Sequence, residues 1–128
     1  MQKRLLKECL RIAVAKNNPK THPEWGSYHH FSFIVQDNKL IEWGTNHPGT
    51  PPKYLGYDKM CKIHSEHMAF KRAKGLLKKD QSFDIINIRL NKTNEIRMSA
   101  PCKCCYSFLR NEGCRKVWFT TNLGWANL

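Results

Sequence analysis

The sequence predicts an α/β fold, a mixed central sheet covered by helices, formed as one domain over residues 1–128. Three observations lead there. Amphipathic helical spacing near the start gives way to a hairpin pattern; two helix–strand units follow it; and no apolar run approaches the ~20 residues of a membrane-spanning helix. Strands separated by helices need right-handed crossovers, which bring them into one sheet with helices laid over it. A chain of 128 residues has enough surface to bury for one core, not two.

The first helix is read from Leu5, Leu6, Cys9, Ile12 and Ala13, which recur at helical spacing with Lys3, Arg4, Lys7 and Arg11 between them. Asn17-Asn18-Pro19 ends it, because a residue before proline avoids helical geometry. Residues 29–35, His-His-Phe-Ser-Phe-Ile-Val, are rich in aromatic and β-branched types; a turn at 37–39 returns the chain through Leu40-Ile41-Glu42-Trp43, giving a hairpin. Residues 44–57 carry three prolines and three glycines and read as a long loop, a feature that in small domains is usually functional. From 64 to 79 the spacing is helical again, with Met68, Ala69, Ala73, Leu76 and Leu77 on one side and lysines opposite. A buried strand at 83–90, a polar turn at 91–94, a helix opening at Pro101-Cys102 and closed by Gly113, and a last strand at 117–120 complete the chain.

Hydrophobic residues make up 41% of the chain, the proportion of a folded globular protein rather than a disordered one. The first residues alternate apolar and basic types instead of forming the continuous apolar core of a secretion signal, so a cytoplasmic protein with reduced thiols is expected. Three of the six cysteines crowd into Cys102-Lys103-Cys104-Cys105, which reads as metal binding rather than a disulfide framework. Lys and Arg number 22 against 10 acidic residues, a formal +12. Such an excess favours a polyanionic partner, since each phosphate contacted releases condensed counterions; a plain solvated lysine surface is the alternative.

The chemistry gathers at two helix starts. His64-Ser65-Glu66 opens one and Pro101-Cys102-Lys103-Cys104-Cys105 the other. One imidazole and two thiolates make a three-ligand zinc set with a fourth position left for water. Cys102 and Cys105 are three residues apart and so face one side of a helical turn. Glu66 is a carboxylate of the type that takes a proton from water and passes it to a leaving amine. Either motif alone is weak, because Cys-x-x-Cys also occurs in zinc ribbons and redox pairs; the two together, each at a helix start with a strand between, are specific.

In this pairing the chain resembles the cytidine and deoxycytidylate deaminase superfamily, from about Leu5 to the last strand. The resemblance implies a three-layer α/β/α sandwich, one Zn2+ held by His64, Cys102 and Cys105, and hydrolytic loss of ammonia from a nucleobase with Glu66 moving the protons. It also implies that Asn46, in Gly44-Thr45-Asn46, bonds the substrate sugar, a role competing with simple turn formation. Backbone N–H groups at Ser65 and Glu66 would grip the base. Two departures stand out: Ser65 replaces the usual alanine, and the usual fifth strand and C-terminal helix are lacking.

Among other residues, Cys104 points about 100° away from its neighbours around the helix and is expected to be a bystander; Cys61 and His67 could suggest a second zinc, but they have no clear four-ligand set, so none is expected. His29 and His30 are assigned to packing or surface. Trp25, Tyr28, Trp43, Tyr54 and Tyr57 flank loops and could stack bases, Tyr54 and Tyr57 being the chosen pair, although each also suits core or loop packing. The lysines at 71, 74, 78 and 79 are read as a solvated helix face. The function expected is deamination of cytosine in single-stranded DNA or RNA, with adenine in transfer RNA as a variant; the alternatives are deamination of a free pyrimidine nucleotide or nucleoside, and a non-enzymatic zinc module that binds nucleic acid. The last leaves Glu66 without a purpose. A membrane partner is not expected, and an oligomer is compatible with the sequence.

Overall fold

The computed structural model describes residues 2–17, 28–46 and 64–128. In chain order these form α1 (Lys3–Lys16), β1 (Tyr28–Gln36), β2 (Lys39–Thr45), α2 (Ser65–Ala73), β3 (Phe83–Asn91), β4 (Ile96–Arg97), α3 (Lys103–Asn111), β5 (Cys114–Thr121) and β6 (Gly124–Asn127). The sheet runs β2-β1-β3-β5-β6, with β4 paired to β3 beside that path. β3 and β5 are parallel and joined through α3, while the pairs β1–β2, β1–β3, β3–β4 and β5–β6 are antiparallel, so the sheet is mixed.

Period-two alternation sorts the strand residues onto two faces. Phe31, Phe33, Ile86, Ile88 and Leu90 pack against Leu5, Leu6, Cys9 and Ala13 of α1. Ile34, Ile85, Val117 and Phe119 turn the other way, onto Ala69, Phe70 and Ala73 of α2 and Leu109 of α3. Helix, sheet and helices therefore form the three layers of an α/β/α sandwich.

The hairpin turns more tightly than its sequence suggests. Asp37 and Asn38 alone make the turn, both at positive φ (54° and 58°), the two-residue geometry whose twist matches paired strands. β2 also continues through Gly44 and Thr45, so the Gly-Thr-Asn segment sits at a strand end rather than in a loop. Gly44 is required there by packing: a Cβ on it would lie 2.5 Å from the backbone nitrogen of Ala69.

Three further differences have local causes. α2 stops at Ala73 instead of reaching 79, and Leu76, expected on its apolar side, is 62% exposed. The buried side chain of Gln36 competes for the chain beyond: its Oε1 accepts from Lys78 N and its Nε2 donates to the carbonyls of Lys78 and Gln81. Ile96 and Arg97, just past the turn expected at 91–94, form a short strand that the sequence reading did not assign. The sheet does not end at residue 120 either, for Gly124–Asn127 returns along β5 as a fifth strand on the main path. Gly124, at φ 140°, and the Thr121 hydroxyl, which accepts from Leu123 N and donates to the Gly124 carbonyl, build the turn. The sequence there lacks the alternation that marks a strand. Among the described residues no helix is long and apolar enough to cross a membrane.

Candidate metal centre and active site

His64 and Cys102 are the residues immediately before α2 and α3, and both have extended backbone (ψ 156° and 165°). The two helix starts lie close enough for the side chains they carry to converge. Cys105, one turn into α3, is fully buried. The donor atoms of His64, Cys102 and Cys105 lie within 4.8 Å of one another. His64 Nδ1 is 3.1 Å from Cys105 Sγ and 3.5 Å from Cys102 Sγ. Bond lengths of about 2.0–2.1 Å to nitrogen and 2.3 Å to sulfur in a tetrahedral zinc site place N and S about 3.6 Å apart, so the donor set fits that ion. The Cys105 N–H also donates to Cys102 Sγ at 3.4 Å.

Glu66 is buried, and its Oε1 accepts a 2.8 Å hydrogen bond from Asn87 Nδ2 of β3. It is therefore held beside the metal donors without belonging to their cluster. A cleft of about 510 Å3 opens over the group, lined by His30, Asn46, His64, Ser65, Glu66, Ala100 and Cys102. That volume suits a nucleobase with its sugar. A second cleft of about 500 Å3 lies by Gln36, Asp80 and Arg115, and none of the three donors lines it.

Asn46 lines the cleft and extends the β1–β2 ladder: its Oδ1 accepts from His30 N at 3.2 Å, and its own N–H donates to the His30 carbonyl. That commits the side-chain oxygen and leaves Nδ2 as the group it can offer a ligand. The Ser65 hydroxyl lies 2.7 Å from Ser32 Oγ, so what Ser65 can present to the cleft is backbone. Helix geometry gives the first N–H groups of α2, including those of Ser65 and Glu66, no acceptor within the helix. Tyr54, Tyr57, Trp25 and Cys61 lie outside the described residues. Trp43 packs beside Phe31 and Phe33 on the α1 face, a core contact rather than a base-stacking one. His67 is buried against Phe108, ring centroids 4.3 Å apart, and stands outside the donor cluster, as does Cys104.

Sequence reasoning missed His30 and Asn87. His30 faces the cleft, and burial, followed by the charges of Arg89, His64 and His29, pushes its pKa down to about 4. It is thus a neutral imidazole near pH 7, with one donor and one acceptor. Strand alternation showed that one of His29 and His30 faces each way, but not which face the motif helices cover. Asn87 carried a clearer signal, a single amide inside Ile85-Ile86-Asn87-Ile88.

The architecture is that of the cytidine deaminase-like α/β/α proteins. The chain is similar to the solved structure of dCMP deaminase from the cyanophage S-TIM5, with 16% identity over 94% of this chain and 86% of that one, at a TM-score of 0.58. The same enzyme in complex with dCMP and dUMP matches at 14% identity over 94% and 84% of the two chains, TM-score 0.58. Cytidine deaminase from Mycobacterium leprae matches at 13% identity over 94% and 87%, TM-score 0.55. No family model and no curated protein matches the chain. Identities this low establish a shared fold and leave the chemistry to be argued from the site.

Proposed function

We propose that the chain is a zinc-dependent hydrolytic deaminase that converts cytosine to uracil with release of ammonia. One observation carries the reading: a one-nitrogen, two-sulfur donor cluster opens through His64 and Cys102 onto the same cleft of nucleobase size as a separately anchored carboxylate. A structural zinc site closes its coordination with four protein ligands and needs neither the cleft nor the acid. His64, Cys102 and Cys105 would hold the ion, and zinc, when bound, supplies the Lewis acidity that makes water nucleophilic near neutral pH. Glu66 takes one proton from the attacking water and passes it to the ring nitrogen, then takes the remaining proton of the new hydroxyl and passes it to the departing amine. The N–H groups at the start of α2 and the Asn46 amide hold the base and its sugar. The balance is cytosine plus water to uracil plus ammonia.

For the substrate, a free pyrimidine nucleotide is one reading, supported by the S-TIM5 enzyme of the same fold, a dCMP deaminase solved with dCMP and dUMP. The net charge of +12 favours a second reading, cytosine in single-stranded DNA or RNA, where lysines and arginines would neutralise flanking phosphates. Offering cytidine, deoxycytidylate, single-stranded DNA and RNA side by side, with mass-spectrometric detection of the deaminated product, tests both readings. Turnover of the nucleotide alone selects the first reading, turnover of the strand alone the second, and no turnover of any substrate removes the deaminase proposal.

A further inference from the structure

Below the cleft lies a polar group that neither metal binding nor proton transfer uses directly. Ser32 of β1 and Asn87 of β3 are cross-strand partners on the α2 side of the sheet, with Ser65 and Glu66 above them. Ser32 is fully buried, and Ser65 and Asn87 are each 2% exposed. Side chains so deeply buried must satisfy one another, which lets every proton be placed.

Asn87 Nδ2 meets two groups that can only accept there, Glu66 Oε1 at 2.8 Å and the Ser99 carbonyl at 3.2 Å. This fixes which end of the amide is nitrogen. Asn87 Oδ1 must then accept, and Ser32 Oγ donates to it at 2.7 Å. A hydroxyl has one proton, so Ser32 has none left for Ser65, and in the 2.7 Å contact between the serines Ser65 is the donor. The bonds therefore run one way, Ser65 to Ser32 to Asn87 to Glu66, and each polarises the next. Ser99 braces the same strand, donating from its hydroxyl to the Asn87 carbonyl at 2.9 Å.

We infer that Asn87 is a positioning residue for Glu66, with its amide locked by Ser32 and Ser65; the inference rests on the deaminase reading above. With Oε1 occupied by Asn87, Oε2 is the oxygen that exchanges protons in the cleft. The anchor survives the whole cycle, because Oε1 still accepts when the proton sits on Oε2. The Ser65 hydroxyl then belongs to the support beneath the carboxylate, while its backbone N–H remains at the cleft.

The test is Asn87→Asp, nearly isosteric, which replaces the N–H donor with an oxygen facing Glu66. Loss of a hydrogen bond to a charged group predicts a kcat lower by about 10- to 100-fold. KM and zinc content should stay close to wild type. A double-mutant cycle separates positioning from general support. In a Glu66→Ala background, Asn87→Asp should change the residual turnover by less than about twofold, whereas a merely structural role would lower both backgrounds alike. Should Asn87→Asp not fold, Ser32→Ala carries the test: it unlocks the amide, and kcat should fall about three- to tenfold at unchanged zinc content. Undiminished kcat in the variant that folds, equal losses in the two backgrounds, or zinc lost together with turnover overturns the role. No turnover by the wild type on any cytosine substrate removes the deaminase reading and this role with it; turnover that Asn87→Asp matches removes this role alone.

Discussion

The two faces of the sheet are built from the same strands and do different work. On the α1 face, Phe31, Phe33, Ile86, Ile88 and Leu90 are all fully buried and apolar. On the opposite face the residues change character along the strand. Ile34 and Ile85 are apolar core, Ser32 and Asn87 come next, and His30 stands at the cleft. The apolar residues of the first face are limited by packing, so they are interchangeable with others of like volume. The other must place named atoms to within a few tenths of an ångström, so each side chain is fixed by its partner. Stability and catalysis should therefore separate by face.

The largest expected effect lies where the two demands coincide. Cys105 is a proposed metal ligand and fully buried, so Cys105→Ala should lose zinc, turnover and much of its folding stability together, because binding energy at such a site is folding energy. Elemental analysis with thermal unfolding checks this, and full zinc content in the variant would contradict the ligand set. On the pure packing face, Phe33→Ala should destabilise by about 3–5 kcal/mol yet leave kcat per folded molecule unchanged. A kcat that fell with it would break the separation of the faces. Gly44→Ala should do some of both: the helix it would push against carries Glu66, so a stability loss of about 1–3 kcal/mol should accompany reduced turnover. Urea unfolding and steady-state kinetics on the same samples decide it.

The smallest effect is a pH slope. Burial pushes His30 and His67, both on the cleft side, down to about 4 from an ordinary 6.5. Between those values the unfolded chain binds more protons, so stability is fully present above pH 6.5 and falls as pH drops towards 4. His67→Phe should flatten that slope in urea unfolding series; an identical slope in variant and parent would remove His67 from the account.

Much of this was legible in the sequence. The α1 residues that face the sheet, the hairpin, the β3 core and the two motif helices follow from periodicity and helix-start residues, which are local properties. The convergence of His64, Cys102 and Cys105 was legible because two separated motifs, each fixed to a helix start, constrain one another. What escaped depended on partners distant in sequence. Gln36 shortens α2 through contacts about forty residues away, β6 exists because β5 offers it an edge, and His30 gains its role only from the face α2 occupies.

The central claim is that the donor cluster and Glu66 act as separate parts of one catalytic centre. Zinc content and single-turnover deamination of Glu66→Ala, measured together on the substrate the wild type prefers, test it most directly. Glu66 is anchored to Asn87 and not to the metal donors, so the variant should retain its zinc. It should lose about 10²–10⁴-fold in rate, or more if Glu66 serves several proton transfers. A variant that kept its zinc and deaminated as fast as the parent would contradict the account.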